Sequence, residues 1–217
     1  MQIAATALML AAMTERSFVV AIAYIKTEPI QVALFGLVFL GDRVTPGMAA
    51  AILIATAGVI VMSAKSGAAA GGWRAPLLGL SAGACFALSA IGFRGAILNL
   101  ADPDYLMAAT FTMTVGLVVQ SVLLSAYLAL RNPAVLTAIM KAWRPSLFAG
   151  FMGATASQFR FLAFALATAA SVRTLALVEV LFAQAISRFV FKQPVSAREG
   201  VGIVMIVIGV VLLVWSY

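Results

Sequence analysis

The sequence predicts an all-α integral membrane protein of about eight transmembrane helices, and three observations predict it. The 217 residues are 64% hydrophobic and only 10% charged. Their mean hydropathy is +1.12, far from the roughly half-apolar, quarter-charged balance of a soluble domain. The apolar runs also follow one another with brief polar breaks, and a run of about 20 residues covers a bilayer core of about 30 Å.

Gly, Pro and charged clusters punctuate these runs and place helices at about 1–14, 17–40, 47–64, 75–98, 105–130, 146–167, 171–191 and 199–216. The first, MQIAATALMLAAM, lacks the basic region that opens a secretory signal, so it reads as a membrane helix cut close to its start. Short connections join most of the others, among them GDRVTP from Gly41, NLADPD from Asn99 and KQPVSAR from Lys192. The longest runs from Arg131 to Pro145, and its middle, AVLTAIMKAW, fits a short interfacial helix with Trp143 at the headgroup level. Small residues at Gly79 and Gly83, and at Gly150, Gly153, Ala154 and Ala156, would let helices approach closely.

Charge sets the orientation and excludes several functions. The net charge is +7, but the basic residues are scattered singly between apolar runs, which argues against a nucleic-acid surface. Counted by side, Arg16, Lys65, Arg74, Arg131, Lys141, Arg144, Lys192 and Arg198 face one way, while Arg43 with Asp42, Asp102 and Asp104 faces the other. The positive-inside rule puts the first group in the cytoplasm and the C-terminus outside. With one cysteine, Cys85, and no histidine, the chain offers no internal disulfide, no Cys/His metal site and no histidine-based catalysis, and no cofactor is expected.

A shift of 151 residues lays Glu28 on Glu179, Val44 on Val195, Thr45 on Ser196, Gly58 on Gly209 and Val59 on Val210. The order of features repeats too. A long helix with a glutamate leads to a polar connection ending V-T or V-S, then to a shorter helix with a late G-V.

In these segments the chain resembles the bacterial EamA-type family of the drug/metabolite transporter superfamily. KTEPIQVALFGLVFLGDRVTPGMAAAILIATAGVIVM is similar to that family's fourth and fifth helices, and LVEVLFAQAISRFVFKQPVSAREGVGIVMIVIGVVLLV to its ninth and tenth. Helix count and order extend the likeness over essentially the whole chain. Lys192 and Gln193 stand where the family's second connection has an acidic residue. The resemblance implies a ten-helix fold of two inverted five-helix repeats. Residues 1–66 would be an incomplete first repeat, family helices three to five, and residues 73–217 the second, helices six to ten. The family's first two helices would then be missing from this chain. It also implies cytoplasmic termini, against the charge count at the C-terminus.

Seven charged residues fall inside the expected helices. Arg94, Arg173 and Arg188 lie near helix ends, where long side chains reach the headgroups. Glu28 is central, and a carboxylate there must be paired, hydrated through a cavity or protonated. Glu179 and Arg160 match in depth, at about 12 Å and about 10.5 Å from their shared connection, as a structural salt bridge or as a substrate-facing pair. Lys26, two residues from Glu28, is on nearly the opposite helical face unless Pro29 distorts the backbone. Pro29 is the candidate helix break, and Gln158 and Gln31 could add hydrogen bonds.

The leading expectation is a secondary transporter, an exporter or exchanger of a small metabolite such as an amino acid or organic ion, in a bacterial inner membrane. Its partners would be the lipid bilayer and a small-molecule substrate, with self-association left open. Glu28 and Glu179 are the ion-coupling candidates, and Arg160, Lys26 and Gln158 complete the substrate set. No phosphate-binding G-x-x-x-x-G-K-(S/T) loop occurs. The alternatives are an inactive truncated product, a structural membrane subunit or, with few catalytic groups to work with, a membrane-embedded enzyme.

Overall fold

The computed structural model describes residues 1–15, 22, 24–63, 73–100, 104–190, 192 and 196–216. The topology signals Arg16, Lys65 and Asp102 lie outside them, as do Gln193, Val195 and most of the opening of the second expected helix. Every regular element among the described residues is helical: α1 (Gln2–Glu15), α2 (Glu28–Phe35), α3 (Pro46–Ser63), α4 (Arg74–Leu100), α5 (Tyr105–Arg131), α6 (Pro133–Lys141), α7 (Trp143–Leu166), α8 (Ala169–Leu175), α9 (Val178–Phe189) and α10 (Ala197–Trp215). Four described stretches are long and apolar enough to cross a membrane: Arg74–Leu100, Tyr105–Arg131, Ala169–Phe189 and Ala197–Trp215. Glu28–Leu40 and Pro46–Met62 are apolar but shorter. The described residues are therefore all-α and consistent with a membrane protein.

Contacts divide it into two compact units, Met1–Ile91 with Thr168–Tyr217, and Gly92–Ala167. The first unit thus joins segments from both expected repeats.

Within the first unit, features 151 residues apart perform matching local tasks. Gly41, the C-cap of a helical run, and Lys192, beyond the end of α9, both adopt the left-handed region, at φ 65° and 53°. Thr45 and Ser196 both cap the next helix. Thr45 Oγ1 accepts from Met48 N–H at 3.2 Å, and Ser196 Oγ from Glu199 N–H at 3.3 Å, while Glu199 returns a bond from Ser196 N–H at 2.7 Å. Helices α3 and α10 then start 151 residues apart and pack on each other reciprocally. A Cβ at Gly58 would meet Gly202 O at 2.8 Å and Ile206 N at 2.9 Å, and one at Gly209 would meet Ala55 N at 2.7 Å and Ala51 O at 2.9 Å. Residues 51, 55 and 58 are the 151-shift counterparts of 202, 206 and 209, so each contact recurs with its members exchanged, as in an isologous interface. The start of α3 meets the end of α10, through Met48 and Ala51 on Leu213, so the pair is antiparallel. Ala55, Val59, Leu177 and Ile206 form the adjoining buried cluster.

Two helices in this unit are interrupted where the sequence predicts continuous ones. Over 17–40 the chain turns at Lys26–Thr27. There i−4 bonding gives way to i−3 bonds, Thr27 N–H to Tyr24 O at 3.3 Å and Ile30 N–H to Thr27 O at 3.1 Å. Pro29, in the first turn of α2, has no N–H to offer the Ile25 carbonyl. That carbonyl lies against α4, 3.3 Å from where a Cβ on Gly83 would stand. The helix expected over 171–191 likewise divides into α8 and α9 at Ala176–Leu177, where Leu177, Glu179 and Val180 each bond three residues back at 3.0 Å. No proline marks this second site. Beyond α2, Gly36–Leu40 widens into a π-helical turn, and the Gly36 carbonyl accepts from Asp42 N–H at 3.1 Å.

The second unit holds the end of α4 with α5, α6 and α7. Asp104 caps α5 by accepting from Leu106 N–H at 2.9 Å. Phe93 and Phe161 stack with centroids 4.8 Å apart, and Gly116 admits the Phe93 ring. Arg94 is not a surface cation. Its Nε donates to Ala167 O at 2.8 Å, where a positive charge favours the C-terminus of α7. The small residues of α7 do not make the close approach that their spacing suggests, since a Cβ on Gly150 or Gly153 would meet nothing within 4 Å. Helix α6 forms within the long connection, and Arg144 stacks over Trp143 at 5.3 Å.

Gly202→Ala should destabilise the protein by about 1–3 kcal/mol, because its Cβ meets backbone that has no room to yield. Gly150→Ala should stabilise it by about 0.5–1 kcal/mol through helix propensity. Thermal unfolding in one detergent checks both. Lys192→Gly should raise stability by about 1 kcal/mol, since glycine adopts the left-handed conformation without penalty.

Candidate functional site

The two helix interruptions determine where the charges of the first unit lie. Glu28 opens α2 and Glu179 opens α9, each in a first turn, where the unsatisfied N–H groups and the helix dipole favour a carboxylate. Lys26 sits in the first interruption, and Arg173 in the last turn of α8, before the second. Helix α8 starts at Thr168, whose Oγ1 accepts from Ser171 N–H at 3.3 Å, and packs against α2.

The four charges form crossed pairs. Arg173 Nη2 meets Glu28 Oε1 at 2.6 Å, and Lys26 Nζ pairs with Glu179 Oε1. Each pair takes its cation from one expected repeat and its carboxylate from the other. Their exposure differs: the side chains of Arg173 and Glu28 are 15% and 12% exposed, whereas Lys26 is 20% and Glu179 53% exposed. In the first pair Glu28 is buried and Arg173 half-buried, while the second opens to the surface through its carboxylate.

Of the residues singled out in the sequence, Glu28, Glu179, Lys26 and Pro29 come together in this unit. Gln158 and Arg160 belong to the second unit, on α7, where Gln158 Nε2 donates to Thr110 Oγ1 at 2.7 Å. Within the first unit, Glu179 takes Lys26 as its partner. Glu28 takes Arg173, which the sequence reading left to the headgroups. Gln31 packs beside the first interruption, its Nε2 3.4 Å from Leu80 O and 3.5 Å from Thr27 Oγ1.

Arg173 was missed because the helix expected from 171 put it within a turn of a membrane surface. The T-x-x-S cap at Thr168 was the available signal. It starts the helix earlier and sets Arg173 in the last turn of α8.

No family model matches the sequence, and no curated protein matches it. Among solved structures, one crystal structure of a protein is similar over 97% of this chain and 73% of its own, with 15% identity and a TM-score of 0.62. At that identity the likeness concerns the fold alone.

Arg173→Met should cost about 3–5 kcal/mol of stability by leaving Glu28 buried without its cation. Adding Glu28→Leu should recover most of that loss. Glu179→Gln should change stability by no more than about 1 kcal/mol, because its carboxylate is half in water. Unfolding of the single and double variants in one detergent measures all three.

Proposed function

We propose that this chain is a secondary transporter of a small metabolite, an amino acid or organic ion, in a bacterial inner membrane. On this reading it crosses the bilayer about eight times, with the inverted-repeat architecture of the EamA-type transporters it resembles. The observation that carries the proposal is the crossed charge quartet at two interrupted helices. Broken helices whose termini meet charged groups near a repeat interface are how secondary transporters build substrate and ion sites. Mid-helix i−3 bonding is also a common mark of a hinge. Two further features support a carrier over an enzyme. The four charges neutralise one another instead of leaving a nucleophile beside a base, and the reciprocal α3–α10 contact suits two halves that move against each other.

Glu28 and Glu179 are the proposed coupling carboxylates, and Lys26 and Arg173 their counter-charges. Gln158 and Arg160 belong to the second unit and stand outside this quartet.

The test is flux in proteoliposomes, screening amino acids and organic anions with and without a pH gradient, for the native protein beside Glu28→Gln and Glu179→Gln. Gradient-driven flux that falls at least about tenfold in either variant is expected, the loss of one interaction of about 1.4 kcal/mol in the transport step. Folded protein that moves none of the solutes would favour a structural membrane subunit.

A further inference from the structure

The geometry points to Arg173 as the binding residue for a substrate carboxylate, with Glu28 as an internal carboxylate that holds its place until the substrate arrives. This rests on the transporter reading and specifies its ligand as an organic monocarboxylate.

Arg173 presents a planar fork that matches a carboxylate, and Glu28 already holds one nitrogen of it, Nη2, at 2.6 Å. An entering carboxylate therefore competes with a group of its own chemistry. Displacing Glu28 would be prohibitive if that buried carboxylate were left without a cation. Lys26 supplies one. It lies two residues away in the same interruption, where the backbone is bonded i−3, so the regular helical geometry that would hold the two side chains on opposite faces is absent. Lys26 is in turn held by Glu179, the most exposed of the four side chains at 53%. Releasing Glu179 to water is the least costly of the possible separations.

The exchange thus runs in one direction. The substrate carboxylate takes Arg173, Glu28 passes to Lys26, and Glu179 turns to water. Every buried charge stays paired throughout, and no bond other than an ion pair is made or broken. A second carboxylate on the same ligand would need Lys26 as well and would strand Glu28, so the arrangement selects for one carboxylate. A cationic ligand has no place in the sequence, because both buried cations are already the groups being shared.

The experiment is equilibrium dialysis of the purified full chain in detergent against radiolabelled benzoate, acetate, succinate and benzylamine. Empty micelles give the partitioning background. Benzoate or acetate should bind above that background, with succinate and benzylamine weaker. Glu179→Gln, which removes the carboxylate that competes with Glu28 for Lys26 and changes an exposed position, should tighten carboxylate binding about tenfold. Arg173→Lys, which keeps the charge but loses the fork, should weaken it by at least about tenfold. The inference is overturned if no monocarboxylate binds to native protein or to Glu179→Gln. Benzylamine binding as well as benzoate, or Arg173→Lys leaving affinity unchanged, would also overturn it. Carboxylate binding without flux would sink the carrier and leave the site standing, while flux of solutes with no carboxylate would do the reverse.

Discussion

A charge enclosed by an apolar chain has to be met by an opposite charge, since the penalty for leaving it alone is several kcal/mol and a helix side chain has few ways to reach water. In the first unit this requirement organises everything around it. Glu28 and Arg173 are nearly enclosed, and their elements must come together in one way only. Interrupting the helices assists, because each carboxylate then stands at a fresh helix N-terminus, where the backbone itself is favourable to it. The absent N–H of Pro29 and the absent Cβ of Gly83 bring α4 against the first interruption. The small residues of α3 and α10 let those two helices close together beside it.

The 151-residue shift shows how two weakly similar segments keep the same architecture. Gly41 and Lys192 share a left-handed conformation although only one is glycine. Thr45 and Ser196 share a capping role with different hydroxyl residues. The interruptions also recur, one with a proline and one without. What recurs is the local physical task, and several residue types can perform it. Reciprocity follows at the next level. When residues 51, 55 and 58 meet the counterparts of one another across an antiparallel pair, the contact is self-complementary; the ion pairs share only their glutamates with that relation, because the shift lays Lys26 on Leu177 and Ile22 on Arg173.

Much of this was legible in the sequence, and the failures have definite physical causes. Apolar runs with glycine, proline and charged punctuation placed the helices, because the period of a helix and the chemistry of its caps are local properties. The 151-residue shift was visible because Glu28, Thr45 and Gly58 each carry a local task. Pairings were harder. Depth along a hairpin, the basis for matching Arg160 with Glu179, constrains one coordinate and says nothing of the face each helix presents, so it could not point to Lys26. Arg173 was misplaced through an error of two residues in a helix start. The interruption at Ala176–Leu177 had no proline, and its i−3 bonds arise from packing that the linear sequence does not express. The small face at Gly150 and Gly153 shows the converse: spacing permits a close approach but does not supply the neighbour.

The interruptions and the ion pairs are coupled by their position in the chain. Lys26 and Glu28 flank one interruption, yet each belongs to a different pair. Arg173 and Glu179 flank the other in the same manner. A rotation of α2 relative to the segment before it therefore changes the offset between Glu28 of one pair and Lys26 of the other, and a rotation of α9 relative to α8 does the same for Glu179 and Arg173. Movement at either interruption thus changes how the two pairs stand to each other. Two independent salt bridges would give way gradually as a hinge opened, whereas crossed bridges on two hinges resist together and then exchange together. On the proposed reading this is what a carrier needs: intermediate arrangements stay unpopulated because each would leave a buried charge without its partner, and a ligand carboxylate provides the route between the paired arrangements.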